Sequence, residues 1–133
     1  MNETMVTLAG RVVSEITKRR CPDERDLTQF RLYVKERRYD PDTGSWRDGD
    51  SLFIGVRCWG RLGEHVDTSV RRGDRVIVFG RLYHREYRSD AVQRIDPQVE
   101  ARAVGIDLGY APVTVTRTAW TPANDEPEQT KAA

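Results

Sequence analysis

The run RVIVFGRLYHREYR, residues 75–88, decides the fold because it reads as one uninterrupted strand. Side chains alternate between the two sides of a strand, so four residues would share one face: Arg81, Tyr83, Arg85 and Tyr87. At roughly 3.3 Å per residue, such a strand is more than about 40 Å long, which exceeds the width of a small domain. We therefore expect its outer half to project as a hairpin arm that returns through residues 98–108.

Strand patterns outnumber helix patterns in the rest of the chain. Apolar residues alternate in three further segments, 5–13, 27–39 and 51–59. Residues 40–50, rich in Asp, Gly, Pro and Ser, predict the turn between the second and third strands. Residues 60–74 leave room for one helix of about ten residues. This order predicts an all-β fold, a five-stranded OB-fold barrel with one short helix and a projecting β-hairpin arm.

Length and charge limit the kind of domain. A chain of 133 residues fits one domain, which we place at residues 1–111. Residues 112–133 are expected to form a tail, in which Val113 and Val115 could add an edge strand and the remainder is disordered. The formal net charge is only +1, so a nucleic-acid footprint would have to come from the placement of basic residues.

Aromatic rings and arginines recur together on two predicted strands. Phe53, Arg57 and Trp59 share a face of the third strand, as the four residues named above do on the fourth. Single-stranded nucleic acid needs flat apolar rings for its bases and cations for its phosphates. The alternative is that Tyr and Trp are ordinary strand formers with Arg on the solvent side. Because rings and arginines occur together on both strands, the pattern favours a face that binds single-stranded nucleic acid.

The two cysteines, Cys21 and Cys58, have no metal-ligand spacing and are expected to be free thiols. Cys21 lies in KRRCPDERD, residues 18–26, which reads as an exposed loop whose basic residues would favour the thiolate. One hypothesis is that Cys21 pairs with a cysteine of another subunit under oxidation. The N-terminus lacks the regions of a signal peptide and no window is apolar enough to span a membrane, which predicts a cytoplasmic protein.

Three longer runs resemble the bacterial single-stranded DNA-binding protein family, particularly its actinobacterial branch. They are VTLAGRVV (6–13), TQFRLYVKERRYDPDTGSWRDGDSLFIGVRCWGRLGEHV (28–66) and RRGDRVIVFGRLYHREY (71–87). The likeness covers about residues 5–110 and is most specific in YDPDTGSWRDGD, WGRLGE and GDRVIVFGRL. The resemblance implies a homotetramer of OB-folds that binds single-stranded DNA in replication, recombination or repair.

The resemblance also implies which residues touch DNA. Carried over by position, base-stacking aromatics fall on Phe53, Trp59 and Tyr87, with one more at Tyr39 or one residue earlier at Arg38. Gly55 stands where many family members have Arg, so one phosphate contact would be missing. The predicted DNA-binding set is Tyr39, Phe53, Arg57, Trp59, Arg81, Tyr83, Arg85 and Tyr87.

The C-terminal sequence departs from the family pattern. Members that recruit replication and repair enzymes end in an acidic cluster closed by Pro-Phe, whereas this sequence ends in NDEPEQTKAA. We therefore expect a nucleoid-associated paralogue with a narrower task, such as recombination, DNA uptake or a developmental stage. Recruitment of replication or repair proteins through such a tail is not expected.

Two other classes of function remain open from the sequence. An OB-fold module that binds RNA or a protein partner would use the same aromatic face. A nuclease would need carboxylates clustered around a metal, and the nearest candidates are typical turn residues: Asp40, Asp42, Asp48 and Asp50. His65 and His84 lack neighbours that would organise a catalytic base. No enzyme activity, metal or cofactor is expected.

Overall fold

The computed structural model describes residues 2–117, apart from the side chains of Tyr87 and Ser89. Strands and one helix make up this part of the chain. In chain order they are β1 (Thr4–Val12), β2 (Thr17–Arg20), β3 (Asp26–Asp40), β4 (Ser45–Trp59), α1 (Gly60–Ser69), β5 (Arg75–Ser89) and β6 (Val92–Ile106).

Five of the strands close into a ring. Neighbours follow the order β1-β5-β6-β4-β3, and a second pairing of β1 with β3 closes it. β1 is the strand that closes the ring. It pairs with β5 from Thr4 to Arg11 and with β3 at Arg11 and Val12. With α1 between β4 and β5 in the chain, this arrangement confirms the predicted OB-fold.

The closure depends on Gly10. A Cβ atom at this position would lie 2.5 Å from the carbonyl oxygen of Tyr33, closer than non-bonded atoms approach. The absence of a side chain therefore lets β1 cross from β5 onto β3. We call this junction of β1 and β3 the seam of the ring. Next to Gly10, the Val13 N–H donates a 2.9 Å hydrogen bond to the Arg31 carbonyl, which stabilises the seam.

Alternate strand residues fill the inside of the ring. The buried apolar cluster includes Val12, Phe30, Leu32, Ile54, Val56, Cys58, Val76, Val78 and Val99. α1 adds Val66 to this cluster. Gly63 lets the helix approach β3 closely, since an added Cβ would lie 2.6 Å from Thr28 Oγ1. The residues between these core positions face outward, and they form the surface discussed below.

The predicted hairpin arm is formed by β5 and β6. Beyond Leu82, β5 pairs with β6 alone, as far as the pair Ser89–Val92. Asp90 and Ala91 join the strands with φ values of 53° and 65°, the backbone of a two-residue type I′ turn. The predicted start of the return strand at residue 98 is wrong, because β6 already begins at Val92.

A second arm, formed by β3 and β4, was not predicted. The turn expected over residues 40–50 occupies only residues 41–44, and β4 begins at Ser45. Gly44 closes this turn with a φ of 68° and an N–H that donates to the Asp40 carbonyl at 2.8 Å. The Asp-rich residues that follow extend the strand by pairing in register with β3, and Asp48 also contacts Lys35 and Arg37 across the pair.

The segment expected to be an exposed basic loop is partly a strand. Thr17–Arg20 form β2, antiparallel to β3 at the edge of the sheet. Cys21 directly follows this strand and is half-buried, and its N–H donates a 2.9 Å hydrogen bond to the Arg25 carbonyl across the turn into β3. The expectation of an exposed loop is therefore wrong for Thr17–Arg20, whereas residues 21–25 do form a turn in which only Cys21 is half-buried.

The chain after β6 does not extend the sheet. Residues 111–117 form no strand within the described chain, so the edge strand expected at Val113 and Val115 is not formed inside one subunit. Just before them, Tyr110 packs against the guanidinium groups of Arg11 and Arg75, which lie 5.1 and 5.0 Å from its ring centroid. The part of the tail beyond residue 117 lies outside the described residues.

Replacing Gly10 by Ala is expected to lower the free energy of unfolding by about 1–3 kcal/mol, because the new methyl group overpacks the seam against backbone. Urea denaturation measures the change. Gly105→Ala is the matched control, since its added Cβ meets no atom within 4 Å, and it should change stability by less than about 0.5 kcal/mol. Equal stability of the two variants would show that the seam tolerates a side chain.

Candidate nucleic-acid interface

One outward surface of β3, β4, β6 and β5 collects most of the predicted site residues; we call it the outer face. The strand register places Gln29 opposite Arg57, Arg57 beside Glu100, and Glu100 opposite Arg81. These residues therefore form one row across four strands. Arg57 lies near the middle of the row, with Trp59 and Gly55 on either side of it along β4.

Four predicted residues come into contact around Arg57. Its Nη1 donates a 3.1 Å hydrogen bond to the Tyr83 hydroxyl, and its guanidinium lies 5.6 Å from the Trp59 ring centroid. The Arg81 guanidinium stacks 4.5 Å from the Tyr83 ring centroid. Rings and cations thus alternate across the surface, as a binding site for bases and phosphates requires.

Trp59 is partly covered by a residue that sequence reasoning missed. The Arg25 guanidinium lies 4.1 Å from the Trp59 ring centroid. Asp23 holds it there through a 2.6 Å hydrogen bond from Arg25 Nε, and this hydrogen bond lowers the pKa of the Asp23 carboxyl. A base that stacks on this side of Trp59 has to displace Arg25 or stack on it. Only the fold reveals this contact, because Arg25 precedes β3 whereas Trp59 ends β4.

Phe53 is an open ring on the outer face, 54% exposed. It packs on Tyr33 of β3, with ring centroids 4.7 Å apart and planes tilted by 39°. Tyr33 was missed, although the sequence held the signal: Leu32 and Val34 alternate inward, so Tyr33 between them must point outward. The pair offers two adjoining rings for bases.

A second aromatic pair lies near the tip of the β3–β4 arm. Tyr39 was predicted, and it faces Trp46 across the strands with ring centroids 5.4 Å apart and planes at 66°. Both side chains are exposed. Trp46 was expected in a turn, and the extension of β4 to Ser45 is what brings it opposite Tyr39.

The cations of this arm are already paired with carboxylates. Lys35 Nζ lies 2.9 Å and Arg37 Nη1 3.5 Å from Asp48, and the hydrogen bond from Lys35 lowers the pKa of the Asp48 carboxyl. Two further pairs are Arg38–Glu36 at 3.0 Å and Arg47–Asp40 at 3.4 Å. These carboxylates are spread along the arm, and among residues 2–117 no group of His, Cys, Asp or Glu could hold a metal ion.

The arginines of the β5–β6 arm differ from this pattern. Arg85 is exposed and makes no ion pair with the described residues. Arg81 is half-buried and only 3.8 Å from Glu100, a loose pair. Tyr87 was predicted to stack on a base, but its side chain lies outside the described residues. The positive charge of the outer face that no described carboxylate pairs therefore lies on Arg57 of β4 as well as on Arg85 of β5.

The cysteines have unequal environments. Cys58 is fully buried in the core, and this burial raises the pKa of its thiol to about 12. It is therefore a neutral core residue at physiological pH. Cys21 is half-buried at the end of β2, so of the two thiols it is the one that reaches the surface.

Comparison with known proteins places the chain in a group of similar sequences. The model of the Single-strand binding protein family matches residues 2–107. The chain is 36% identical over 117 residues to single-stranded DNA-binding protein 2 of Streptomyces coelicolor, covering 87% of this chain and 59% of that protein. It is 34% identical over 119 residues to the single-stranded DNA-binding protein of Corynebacterium glutamicum, covering 89% and 53% respectively. The chain thus spans little more than half the length of these two curated relatives.

Two solved structures share the fold over almost their whole length. The small single-stranded DNA-binding protein of Streptomyces coelicolor gives a TM-score of 0.75 at 31% identity, covering 84% of this chain and 100% of that one. The second such protein of Mycobacterium smegmatis gives 0.69 at 32% identity, covering 86% and 99%. Within residues 2–117, no helix has the length and apolar character needed to cross a membrane.

Proposed function

The chain belongs to the single-strand binding protein family, and we propose that it binds and protects single-stranded DNA on its outer face. Bases stack on Phe53 with Tyr33 and on Trp59, while phosphates pair with Arg57, Arg81 and Arg85. The grouping of rings and cations on β3, β4 and β5, which the sheet brings together on one face, supports this proposal above all. Stacking accepts any base, so binding is largely independent of sequence. No catalytic group is needed.

A competition assay tests this function against the RNA-binding alternative. Labelled single-stranded DNA is bound to the full-length protein and challenged with unlabelled single-stranded DNA, RNA or duplex DNA of equal length. We expect single-stranded DNA to compete best, because duplex bases cannot stack on the rings without being unpaired. Stronger competition by RNA would support the RNA-binding module, and no binding of either strand would reject both.

Replacing Phe53 by Ala is expected to weaken single-stranded DNA binding by about 1–3 kcal/mol, the usual contribution of one stacked base. Phe53 suits the test because it is largely exposed and its loss should leave the core intact. Ile95→Ala is the matched control: Ile95 is similarly exposed, but its side chain alternates to the opposite side of β6 from Asp96. Fluorescence anisotropy titration measures the affinity of each variant for single-stranded DNA. Equal affinities of the two variants would contradict stacking on Phe53.

Replacing Arg85 by Gln is expected to flatten the salt dependence of binding. Each phosphate neutralised on a single strand contributes about −0.7 to the slope of log K against log salt concentration. Losing one contact should therefore make the slope less negative by about that amount. Arg102→Gln serves as the control, because Arg102 Nη2 already pairs with Glu3 at 2.8 Å. Titrations at several salt concentrations give the slopes. A wild-type slope in Arg85→Gln would show that this side chain meets no phosphate.

A homotetramer is also part of this proposal. On the outward side of β1 and β5, away from the arms, Met5, Ile77 and Phe79 are 39%, 41% and 43% exposed. Thr7 lies opposite Phe79 and Ala9 opposite Ile77, so the patch around these apolar side chains is flat. Exposed apolar patches on small domains mark interaction sites. Copies of the same chain would cover this one, and residues 112–117 could add to the contact.

Replacing Phe79 by Glu is expected to dissociate the tetramer, because assembly would bury an unpaired carboxylate in an apolar contact. Light scattering at micromolar concentration measures the mass. Val92→Glu is the control, since Val92 is an apolar residue at least as exposed as Phe79 but lies at the tip of the β5–β6 arm. A wild-type protein that scatters as a monomer would reject the assembly, and so would a Phe79→Glu variant that remains tetrameric.

The same activity defines the cellular setting that we propose. Single strands arise whenever duplexes are opened, so the protein would act in replication, recombination or repair at the nucleoid, in the cytoplasm. We assign DNA binding to residues 1–111 and regard residues 112–133 as a tail that affects assembly more than DNA affinity.

A further inference from the structure

The two stacking positions of the outer face differ, because Phe53 is open and Trp59 is covered. Phe53 is 54% exposed, whereas Trp59 is half-buried. Leu27, the register partner of Trp59, alternates to the outward side of β3 and is fully buried, although it lies outside the apolar cluster that fills the ring. The turn of residues 21–25 leads into β3 here and places the Arg25 guanidinium over the Trp59 ring.

Asp23 holds Arg25 in this position through both oxygens of its carboxylate. Oδ2 accepts the 2.6 Å hydrogen bond from Arg25 Nε, and Oδ1 accepts a 3.2 Å hydrogen bond from the Arg25 backbone N–H. The turn itself is closed by two backbone hydrogen bonds, from the Cys21 N–H to the Arg25 carbonyl at 2.9 Å and from the Glu24 N–H to the Cys21 carbonyl at 2.8 Å. Arg25 is therefore positioned over the ring before any ligand binds.

The Arg25 guanidinium occupies the space that a base stacked on this side of Trp59 requires, since it lies 4.1 Å from the ring centroid. The side chains of Arg25 and Asp23 are 60% and 51% exposed. Water and salt weaken both an ion pair and a cation–π contact at such an exposed site. A base stacked on an aromatic ring contributes more to binding than either of these contacts. A base therefore replaces Arg25 on the ring.

The chemistry of the guanidinium also favours this exchange. Asp23 accepts only the Nε–H of the Arg25 side chain, so the N–H groups of both Nη atoms are not used by this carboxylate. A guanidinium that has left the ring keeps these donors and its charge, and a phosphate of the same DNA strand can accept from them. The bound strand thus supplies a base for Trp59 and an acceptor for Arg25 together.

We propose that Asp23 and Arg25 form a displaceable lid on Trp59, so that single-stranded DNA stacks on this ring only after Arg25 has moved aside. Asp23 is a positioning residue, because it acts through Arg25 and not on the base. The lid lowers the affinity of the Trp59 position, whereas Phe53 accepts a base without such an exchange. The inference rests on the proposed function and names the group that a base replaces at one of its two stacking positions.

The test compares the affinities of Asp23→Asn and Glu24→Gln for oligo(dT) in the full-length protein. Asparagine has a single acceptor oxygen and no charge, so it holds Arg25 less firmly than aspartate does. We expect Asp23→Asn to bind about 2- to 5-fold more tightly than Glu24→Gln, the effect of one exposed ion pair. Glu24→Gln is the matched control, because it removes the same charge from the same turn and the exposed Glu24 side chain has no partner among the described residues.

A second measurement follows the lid without DNA. The chain has three tryptophans, so Trp46→Phe and Trp120→Phe in every protein compared leave Trp59 as the single tryptophan. We expect acrylamide, a neutral quencher, to quench the fluorescence of Trp59 more strongly in Asp23→Asn than in Glu24→Gln, because Arg25 then covers the ring for less of the time. Saturating oligo(dT) should remove this difference, since a base covers the ring in both proteins.

Two results would overturn the lid while leaving the proposed function intact. One is an Asp23→Asn variant that binds oligo(dT) no more tightly than Glu24→Gln, which would show that no base replaces Arg25. The other is equal quenching of Trp59 by acrylamide in the two free proteins. Should Asp23→Asn fail to fold, Asp23→Ser decides, because serine also favours turns and has no carboxylate. If the wild-type protein does not bind oligo(dT), the proposed function falls and this inference falls with it.

Discussion

The double pairing of β1 is the constraint on which the rest of the structure depends. One strand has to bond to β5 along most of its length and to β3 at its end. This is possible only because the chain has no side chain at Gly10, where the Tyr33 carbonyl approaches. Closing the ring curves the sheet, separates an apolar inside from an outer surface, and leaves β3, β4, β6 and β5 side by side. The candidate site is a consequence of that order.

Arginine is used in two different ways on the resulting surface. On the β3–β4 arm the cations are matched by carboxylates, so they stabilise the arm and leave little net charge for a ligand. On β5 and at Arg57 the guanidinium groups pack against aromatic rings instead. A guanidinium stacked on a ring keeps its N–H donors at the edge of the plane, where a phosphate can reach them. The nearly neutral total charge of the chain therefore hides an uneven distribution.

Much of the fold followed from patterns that are local in sequence. The long strand of residues 75–88 and the inward alternation of Leu32 and Val34 depend only on neighbouring residues, and both were predicted correctly. β2 was missed because its basic side chains are all exposed and show no apolar period. The β3–β4 arm was missed because Asp and Gly usually mark turns, whereas here the residues from Ser45 onward pair in register with β3, a long-range pairing that the local pattern does not show. At the site, Tyr33 was predictable from alternation, whereas the contact of Arg25 with Trp59 joins residues that only the fold brings together.

The type I′ turn at Asp90 and Ala91 has an implication for how such a chain can vary. Beyond the pair Tyr83–Gln98, β5 and β6 pair only with each other, so the length of this part is not tied to the ring. If one residue were added to or removed from each strand beside the turn, the side chains next to the turn would point to the opposite side of the arm. A change of two residues on each strand would leave them on the same side. The reach of this arm along a ligand can therefore change in steps of two residue pairs, about 7 Å each, while the core stays the same.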